Sequence, residues 1–485
     1  MTILVGTLEL ASRYRYGLTS RSVPMYLFRP YETSSIAGSY EPSRSAEGAD
    51  EVQPEYIVGC SERDTTQNRI AIVEVPAGTI PAIPPAKPRA HLVRLLGPVG
   101  DLAAETAGLL EHYCPTRQLT MLPAPPADTT YDEYRQDLSA ETGWITFHID
   151  PAGCRDIDDA IAVHPESGRW AITIADAAAA VRRNTEIDRA AAAIATTFYD
   201  LDGHPVRPML PRPISEDTAS LLPGQRRRGV TYVFHPTSPT RYPPVWMLTW
   251  ITVQHSFSYE TFPGSAVAAR LGLSARDPHD FIEQMMITYN TAAAAKLQAH
   301  GANTGLLRVQ SPTLAATVAL WPPELAHLAR ETALYEPVDP ARQAEQGHAS
   351  LELPAYAHAS SPLRRYADLV NQRALRELIM TGDIPAELRS TAAQAEYLNT
   401  RTQASRRWTR DLTFLAHVTP GHVQHISILW VSPTQVWVPA WKRLLRLRHE
   451  VPEPAPLPGT EGTIQIFCDP TRRNWRQRVL TAAAT

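Results

Sequence analysis

Residues 148–163 read HIDPAGCRDIDDAIAV and place Asp150, Asp156, Asp158 and Asp159 within ten positions. Ile149, Ile157, Ile161 and Val163 between and beyond them imply that the stretch runs through a packed interior. Two carboxylates about 4 Å apart repel by roughly 4 kcal/mol at an effective dielectric of about 20. Such a cluster persists when it stays wet, takes up protons or binds a cation. A calcium loop of the EF-hand type needs acids at its first, third and fifth positions, then Gly and a final Glu; the spacing from Asp150 or Asp156 fails that pattern. A glycosidase needs only two carboxylates. A Mg²⁺ or Mn²⁺ cluster for phosphodiester chemistry suits hard oxygen ligands, with metal ions activating water and stabilising the leaving oxygen. Acidic loop residues that merely cap neighbouring backbone are the remaining alternative.

A second constellation, YAHASSPLRRYADLVNQR, spans residues 356–373. Ser361 followed by Pro362 predicts a helix start, with Ser361 as N-cap and Pro362 as the first helical residue. Arg364 and Arg365 would then stand in the first turn, where the helix dipole disfavours cations. An anion between them and the helix end resolves that conflict, and phosphate suits guanidinium forks and terminal N–H groups together. The alternative is a local pair with Asp368. Acids that hold metal on one side of a phosphate and guanidinium groups on the other are the composition for charge stabilisation in phosphoryl chemistry.

These stretches need elements to position them. The chain has 485 residues, 44% hydrophobic and 20% charged, which places it among globular multi-domain proteins. Net charge is -4, which argues against a uniformly basic nucleic-acid coat, although residues 401–485 carry twelve Lys and Arg against five Asp and Glu. That local excess suits a polyanion or a solvated basic surface. Cys60, Cys114, Cys154 and Cys468 form no C-x-x-C pair, so neither a zinc ribbon nor a disulfide framework is expected. No apolar run approaches eighteen residues. An intracellular, cytoplasmic, monomeric protein with no membrane partner is expected.

Residues 1–122 read as a small β-barrel from runs such as ILVGTLEL, VPMYLF and RIAIVEV, interrupted by a polar insertion at 33–53. A helix is predicted over 101–113, with Asp101 as N-cap and Glu105 near the capping-box position. Residues 123–142 read as a linker. From 143 onward strand and helix patterns alternate, with helices predicted over 281–300, 366–380 and 391–416. The tail from 419 to 485 offers HISILWV, QVWVPAW and TIQIFCD as strands of a second, short barrel.

HIDPAGCRDIDDAI and YAHASSPLRRYADLVNQR resemble the catalytic aspartate and arginine motifs of the ribonuclease II / ribonuclease R family, which includes the exosome's catalytic exonuclease subunit. AITIADAAAAV, PVRPMLPRPISEDTASLLP, HSFSYE and MITYNTAAAA resemble intermediate blocks in the same order. HLVRLLGPVGDLAAETAGLLEHY resembles the end of the family's cold-shock-like barrel. The resemblance implies an α+β chain with a central RNB-type catalytic domain (143–418, including its C-terminal helix). It is flanked by OB-type barrels at 1–122 and 419–485, with 123–142 between. It implies a hydrolytic 3′→5′ exoribonuclease that degrades single-stranded RNA to 5′-mononucleotides using Mg²⁺, with Mn²⁺ as the alternative ion.

Carried over by position, Asp150, Asp156, Asp158 and Asp159 are the metal-site residues, and Asp158 also positions the second metal or the attacking water. Arg364 and Arg365 would contact the scissile phosphate and Tyr366 would shape the site. Tyr199, Arg207, His358, Ser361, Arg308, Arg226 and Arg228 are the expected RNA contacts. A solvated turn at Arg226–Arg228 is an equal reading, and a structural role is the default for His148 and His358. Two departures stand out. In TTFYDLDGHPVRPMLP, Tyr199 falls two residues before the usual stacking position, held here by Leu201; Leu307 occupies a second position where the family often has an aromatic. The alternative function is a catalytically weak relative that binds RNA 3′ ends. Tyr14, Tyr16, Tyr26 and Phe28 are expected mainly as barrel core, and KRLLRLRH (442–449) as an edge of the tail barrel that could face RNA.

Overall fold

The structure, a computed structural model, describes residues 2–31, 55–76, 87–115, 126–312, 322–329, 331–418, 421–447, 456–468 and 479–483. At the N-terminus, alternation of apolar and polar residues produces β1 (Thr2–Leu8), β2 (Met25–Pro30), β3 (Tyr56–Gly59), β4 (Arg69–Val75) and β5 (Arg89–Pro98). They close into a barrel in the order β1-β2-β3-β5-β4. Leu8, Phe28, Val58 and Val73 fill its interior. Tyr26 and Phe28 are core as expected, whereas Tyr14 is 79% exposed on the β1–β2 loop. The polar insertion at 33–53 lies outside the described residues.

Helix α1 (Leu102–Tyr113) begins as its cap predicts: the Asp101 carboxylate accepts from the Ala104 N–H at 2.8 Å. Glu105 accepts from the Gly100 N–H and the Tyr31 hydroxyl, tying the helix to the barrel. Gly108 lets α1 close on β4, since a Cβ there would meet Ile70 Cγ2 at 2.8 Å.

The middle of the chain supplies β6 (Gln136–Asp137), β7 (Ile145–Asp150), β8 (Asp159–His164) and β9 (Arg169–Ala175). Two short helices follow, α2 (Ala177–Ala180) and α3 (Glu186–Ile194), then a hairpin of β10 (Phe198–Tyr199) and β11 (Pro205–Arg207). β12 (Arg226–Phe234), β13 (Val245–Thr252) and β14 (His255–Ser258) complete a seven-stranded sheet in the order β14-β7-β8-β9-β12-β13-β6. β6 lies within the stretch expected to be linker; its two residues pair in parallel with Thr249 and Trp250. Both faces of the sheet are buried. Along β8, Ile161 and Val163 join Phe147, Phe262 and Phe281 on one side, while Ala160 and Ala162 admit a second core on the other.

Helices α4 (Ala266–Leu271) and α5 (Pro278–Gln298) and the pair β15 (Leu306–Val309) with β16 (Leu334–Pro337) follow. Helix α6 (Tyr366–Met380) then runs almost wholly buried through the domain, and the 26-residue α7 (Ala392–His417) closes it. The expected start of α6 at Ser361 is corrected. Residues 362–364 form a turn and Arg365 occupies the N-cap position without a side-chain cap. Tertiary hydrogen bonds outweigh the local Ser-Pro signal: the Thr197 N–H donates to the Arg364 carbonyl and the Tyr366 N–H to that of Ala195.

The tail forms β17 (Val423–Ser432), β18 (Gln435–Val438), β19 (Arg443–Arg446), β20 (Glu461–Cys468) and β21 (Val479–Ala483), a five-stranded sheet in the order β19-β18-β17-β20-β21. The fold is thus α+β, a central mixed sheet and helices between two small β units. Cys60, Cys114 and Cys154 are free thiols. Among the described residues no helix is long and apolar enough to cross a membrane.

Candidate active site

The acidic stretch is a loop between paired strands. β7 ends on Asp150 and β8 begins on Asp159, so the pairing of these neighbours brings both ends of the loop together. Gly153, at φ +81°, turns the loop, and the Cys154 N–H donates to the Pro151 carbonyl. Ser220 fixes the far side: its hydroxyl accepts from the Ile157 N–H at 3.0 Å and donates to the Arg155 carbonyl at 2.7 Å. Each carboxylate is then held separately. His148 Nδ1 lies 2.8 Å from Asp150 Oδ2. The Cys154 thiol and the Tyr199 hydroxyl each donate to Asp156 at 3.3 Å.

Asp158 joins the two constellations. Its Oδ1 accepts from the Leu363 N–H at 2.9 Å and its Oδ2 from Arg364 Nε at 3.0 Å. Arg364 Nη2 also donates to the Ser361 hydroxyl, yet the Arg364 side chain remains 44% exposed and able to meet a substrate anion. Arg365 pairs with Asp368 at 2.8 Å, the local pairing that its spacing allowed. The same Asp368 oxygen accepts from the Ser361 N–H. Ser361 is therefore held by Asp368 and not a helix cap.

Burial pushes the Asp158 carboxyl up to about 7, against the opposing pull of Arg364 and the Leu363 N–H. Burial, then Asp150 and Asp158, push Asp159 well above the usual carboxylate range, and its buried Oδ2 has no hydrogen-bond partner. A desolvated, mutually repelling set of hard oxygens with an orphaned carboxylate oxygen fits a divalent cation. Asp150, Asp156 and Asp159 are the residues that would hold it. Asp158 stands apart from these three, because both of its oxygens are engaged by the arginine turn. No three of the four aspartates bring ligand atoms within 4.8 Å of one another; among the described residues only Asp200, Asp202 and His204, on the exposed β10–β11 turn, do so.

The other expected residues divide. Tyr199 reaches the site, although its hydroxyl is taken by Asp156 and its carbonyl by Trp408 Nε1. Tyr366 turns away: its hydroxyl donates to Asp188, which also pairs with Arg373, so it anchors α6 from behind. Arg207 is 7% exposed and pairs with Glu111 of α1, not with solvent. Arg226 and Arg228 share one face of β12 opposite Trp250, lie over its ring at 4.1 and 4.7 Å, and pair with Asp137 and Asp132. The alternation that put them on one face also supplied intramolecular partners. His358 Nδ1 lies 2.8 Å from the Tyr335 hydroxyl, and burial, then Arg365 and Arg308, push its pKa well down, leaving it neutral. Leu307 is fully buried and Leu201 is 47% exposed, so neither departure from the family pattern is reversed by the fold.

Sequence reasoning assigned no role to Tyr259. Burial, then Asp150 and Asp159, push its hydroxyl up to about 12, and its ring stacks on His279 with centroids 3.8 Å apart. Its place in HSFSYE was the available signal. Two buried amides that hold the segment before the arginine turn, and a third that ties α6 to the end of β9, were also missed. Asn290 accepts from the Ala359 N–H and donates to Tyr356 and Ser360. Asn371 donates to the Leu306 and His358 carbonyls, and Gln372 donates to the Ala175 carbonyl.

The profile of the RNB domain matches residues 135–264 and 264–381. The chain is similar to DIS3-like exonuclease 2 of Caenorhabditis elegans, 30% identical over 213 residues, or 40% of this chain and 23% of that protein. It is similar to ribonuclease R of Mycoplasma genitalium, 43% identical over 96 residues, or 19% of this chain and 13% of that protein. These matches therefore span under a quarter of each relative's own length. Among solved structures, Mycoplasma genitalium RNase R in complex with double-stranded RNA aligns over 100% of this chain and 96% of its own, with TM-score 0.68 and 16% identity. Yeast Ssd1, described as a pseudonuclease, aligns over 96% and 68%, with TM-score 0.66 and 16% identity. At that identity the likeness is one of fold.

Proposed function

The chain belongs to the RNB domain family, and from that premise we propose that it is a hydrolytic 3′→5′ exoribonuclease that shortens single-stranded RNA to 5′-mononucleotides. The observation that carries the reading is the Asp158 bridge, because it sets the phosphate-binding guanidinium of Arg364 directly against the acidic loop. Arg364 and Arg365 bind and orient the scissile phosphate. Arg364 is pre-aimed by Asp158 and Ser361, and Arg365 by Asp368, so little reorganisation accompanies charge development in the transition state. Asp150, Asp156 and Asp159 hold a divalent ion, Mg²⁺ or Mn²⁺, which when bound supplies charge neutralisation and activation of water. Tyr199, Tyr259 and His358 border the RNA terminus. The β units at either end, 1–122 and 419–485, flank the path of the strand.

Incubation of the protein with a 5′-labelled single-stranded RNA, with Mg²⁺ and with EDTA, tests this on a sequencing gel. A Mg²⁺-dependent ladder that shortens from the 3′ end supports it, and an intact RNA under both conditions overturns it. A second reading is favoured by Leu307 and Leu201 at the two expected aromatic positions and by the fold likeness to a pseudonuclease. In that reading the protein grips RNA ends without cutting them, and the same gel beside a binding assay separates the two.

A further inference from the structure

His148 and Asp150 stand two residues apart on β7, so their side chains share one face of the strand. Phe147 and Ile149, on the opposite face, join the aromatic core of the sheet. The imidazole is 4% exposed, and its Nδ1 lies 2.8 Å from Asp150 Oδ2. An ionised carboxylate only accepts, so the ring nitrogen that faces it carries the proton. The other nitrogen, Nε2, is buried and has no partner among the described residues. Leaving a buried polar atom unsatisfied is destabilising, and an apolar side chain would fill the same interior without that cost. The ring is therefore kept for its Nδ1 edge. Among the described residues that bond is the only one to reach the Asp150 carboxylate, so Oδ2 is held and Oδ1 is open. It is shorter than the 3.3 Å bonds that Cys154 and Tyr199 make to Asp156. Asp158 differs, with both oxygens engaged by the arginine turn.

We propose that His148 is a positioning residue that fixes Asp150 as a one-oxygen ligand for the divalent ion. The inference rests on the metal-site reading above and deepens it. The Nδ1–H group holds Oδ2 and leaves Oδ1 to the ion. A carboxylate held in this way neither swings out of the site nor chelates through both oxygens, so less freedom is lost when the ion binds.

The test is Mn²⁺ affinity, read from the electron paramagnetic resonance of free Mn²⁺ with the full chain and no RNA. The parent and every variant carry Asp202→Asn, so that the exposed turn of Asp200, Asp202 and His204 contributes nothing. His148→Leu loses the donor and keeps an apolar filling. Its Mn²⁺ affinity is expected to fall by about tenfold to a hundredfold, the range for removing the partner of a metal ligand. His148→Asn places an amide N–H where Nδ1 stood and is expected to recover most of the loss. His148→Gln carries its N–H further out, at the Nε2 position, and is expected to bind as weakly as His148→Leu. Near-UV circular dichroism checks the fold of each, and the comparison of His148→Asn with His148→Gln carries the test if His148→Leu does not fold. Parent affinity in folded His148→Leu or His148→Gln overturns the positioning role. Equal weakening in all three variants overturns it too, because the shape of the ring and not its Nδ1 proton would then matter. A parent protein that takes up no Mn²⁺ overturns the metal-site reading itself.

Discussion

The proposed chemistry turns on Asp158, whose two oxygens do different work. Oδ1 accepts from the Leu363 N–H, which fixes the turn, and Oδ2 accepts from Arg364 Nε, which aims the guanidinium. Asp158→Asn keeps an acceptor for the turn but loses the charge that orients Arg364. Cleavage is expected to fall by about a hundredfold to a thousandfold, the range for removing one pre-organised charge-stabilising group. RNA affinity should stay within about threefold. Single-turnover cleavage and anisotropy measure the two; equal losses would reduce Asp158 to a folding residue. The same burial gives a pH signature. The Asp158 carboxyl is raised to about 7, against roughly 3.9 in an unfolded chain. The folded state therefore binds the extra proton between those values, so that contribution is full below about 3.9 and is lost as pH rises through about 7. Asp159 is shifted in the same direction. A divalent cation competes with those protons and relieves the repulsion once they leave. The rise in melting temperature between EDTA and Mg²⁺ should therefore be larger at about pH 8 than at about pH 6, in calorimetry without substrate; an equal rise at both would place the cation elsewhere.

At the scale of elements, the segment before the arginine turn owes its position in part to an amide buried far from it in sequence. Asn290 on α5 satisfies the Ala359 N–H and the Tyr356 and Ser360 hydroxyls together. Asn290→Ala leaves those groups unpaired in a dry interior, at about 1–3 kcal/mol for each unsatisfied group and less than additive overall. A loss of about 3 kcal/mol in urea unfolding is expected; a change under about 1 kcal/mol would mean that the segment holds its shape without the amide. Asn290 lies in a helix that periodicity revealed, but nothing local shows that its side chain meets residues almost seventy positions away. The same limit explains where the start of α6 was misplaced. Ser361-Pro362 carries a strong local signal, and the bonds that override it come from Asp158, Ala195 and Thr197. Long periodic elements such as α5, α6 and α7, and the spacing of the aspartates, were legible because their information is contiguous. β6 was not, because two residues carry no period. The intramolecular partners of Arg226 and Arg228 were equally hidden, because charge alone does not reveal a neighbouring strand bearing Trp250 or the carboxylates of Asp132 and Asp137.

Across the whole molecule, α7 is the strut that joins the parts. Arg401 donates to the Tyr113 carbonyl at the end of α1, and the buried carboxylate of Asp411 accepts from the Tyr113 hydroxyl and from Arg443 Nη1 of β19. One side chain on the central helix thus holds the helix of the N-terminal barrel and a strand of the C-terminal sheet. Asp411→Ala removes one partner of a buried ion pair, which costs about 3–5 kcal/mol. The cost falls on the junction and leaves the cores beneath each unit untouched. If the two β units flank one RNA path, loosening the junction weakens RNA binding even though the variant lies outside the acidic loop. The expected calorimetric outcome is a lower first transition that separates from a later one, accompanied by weaker binding of long RNA and little change for an oligonucleotide short enough to contact the central domain alone. Equal weakening for both lengths would show that α7 acts on the central site itself. No change for either would show that the strand does not run between the flanking units.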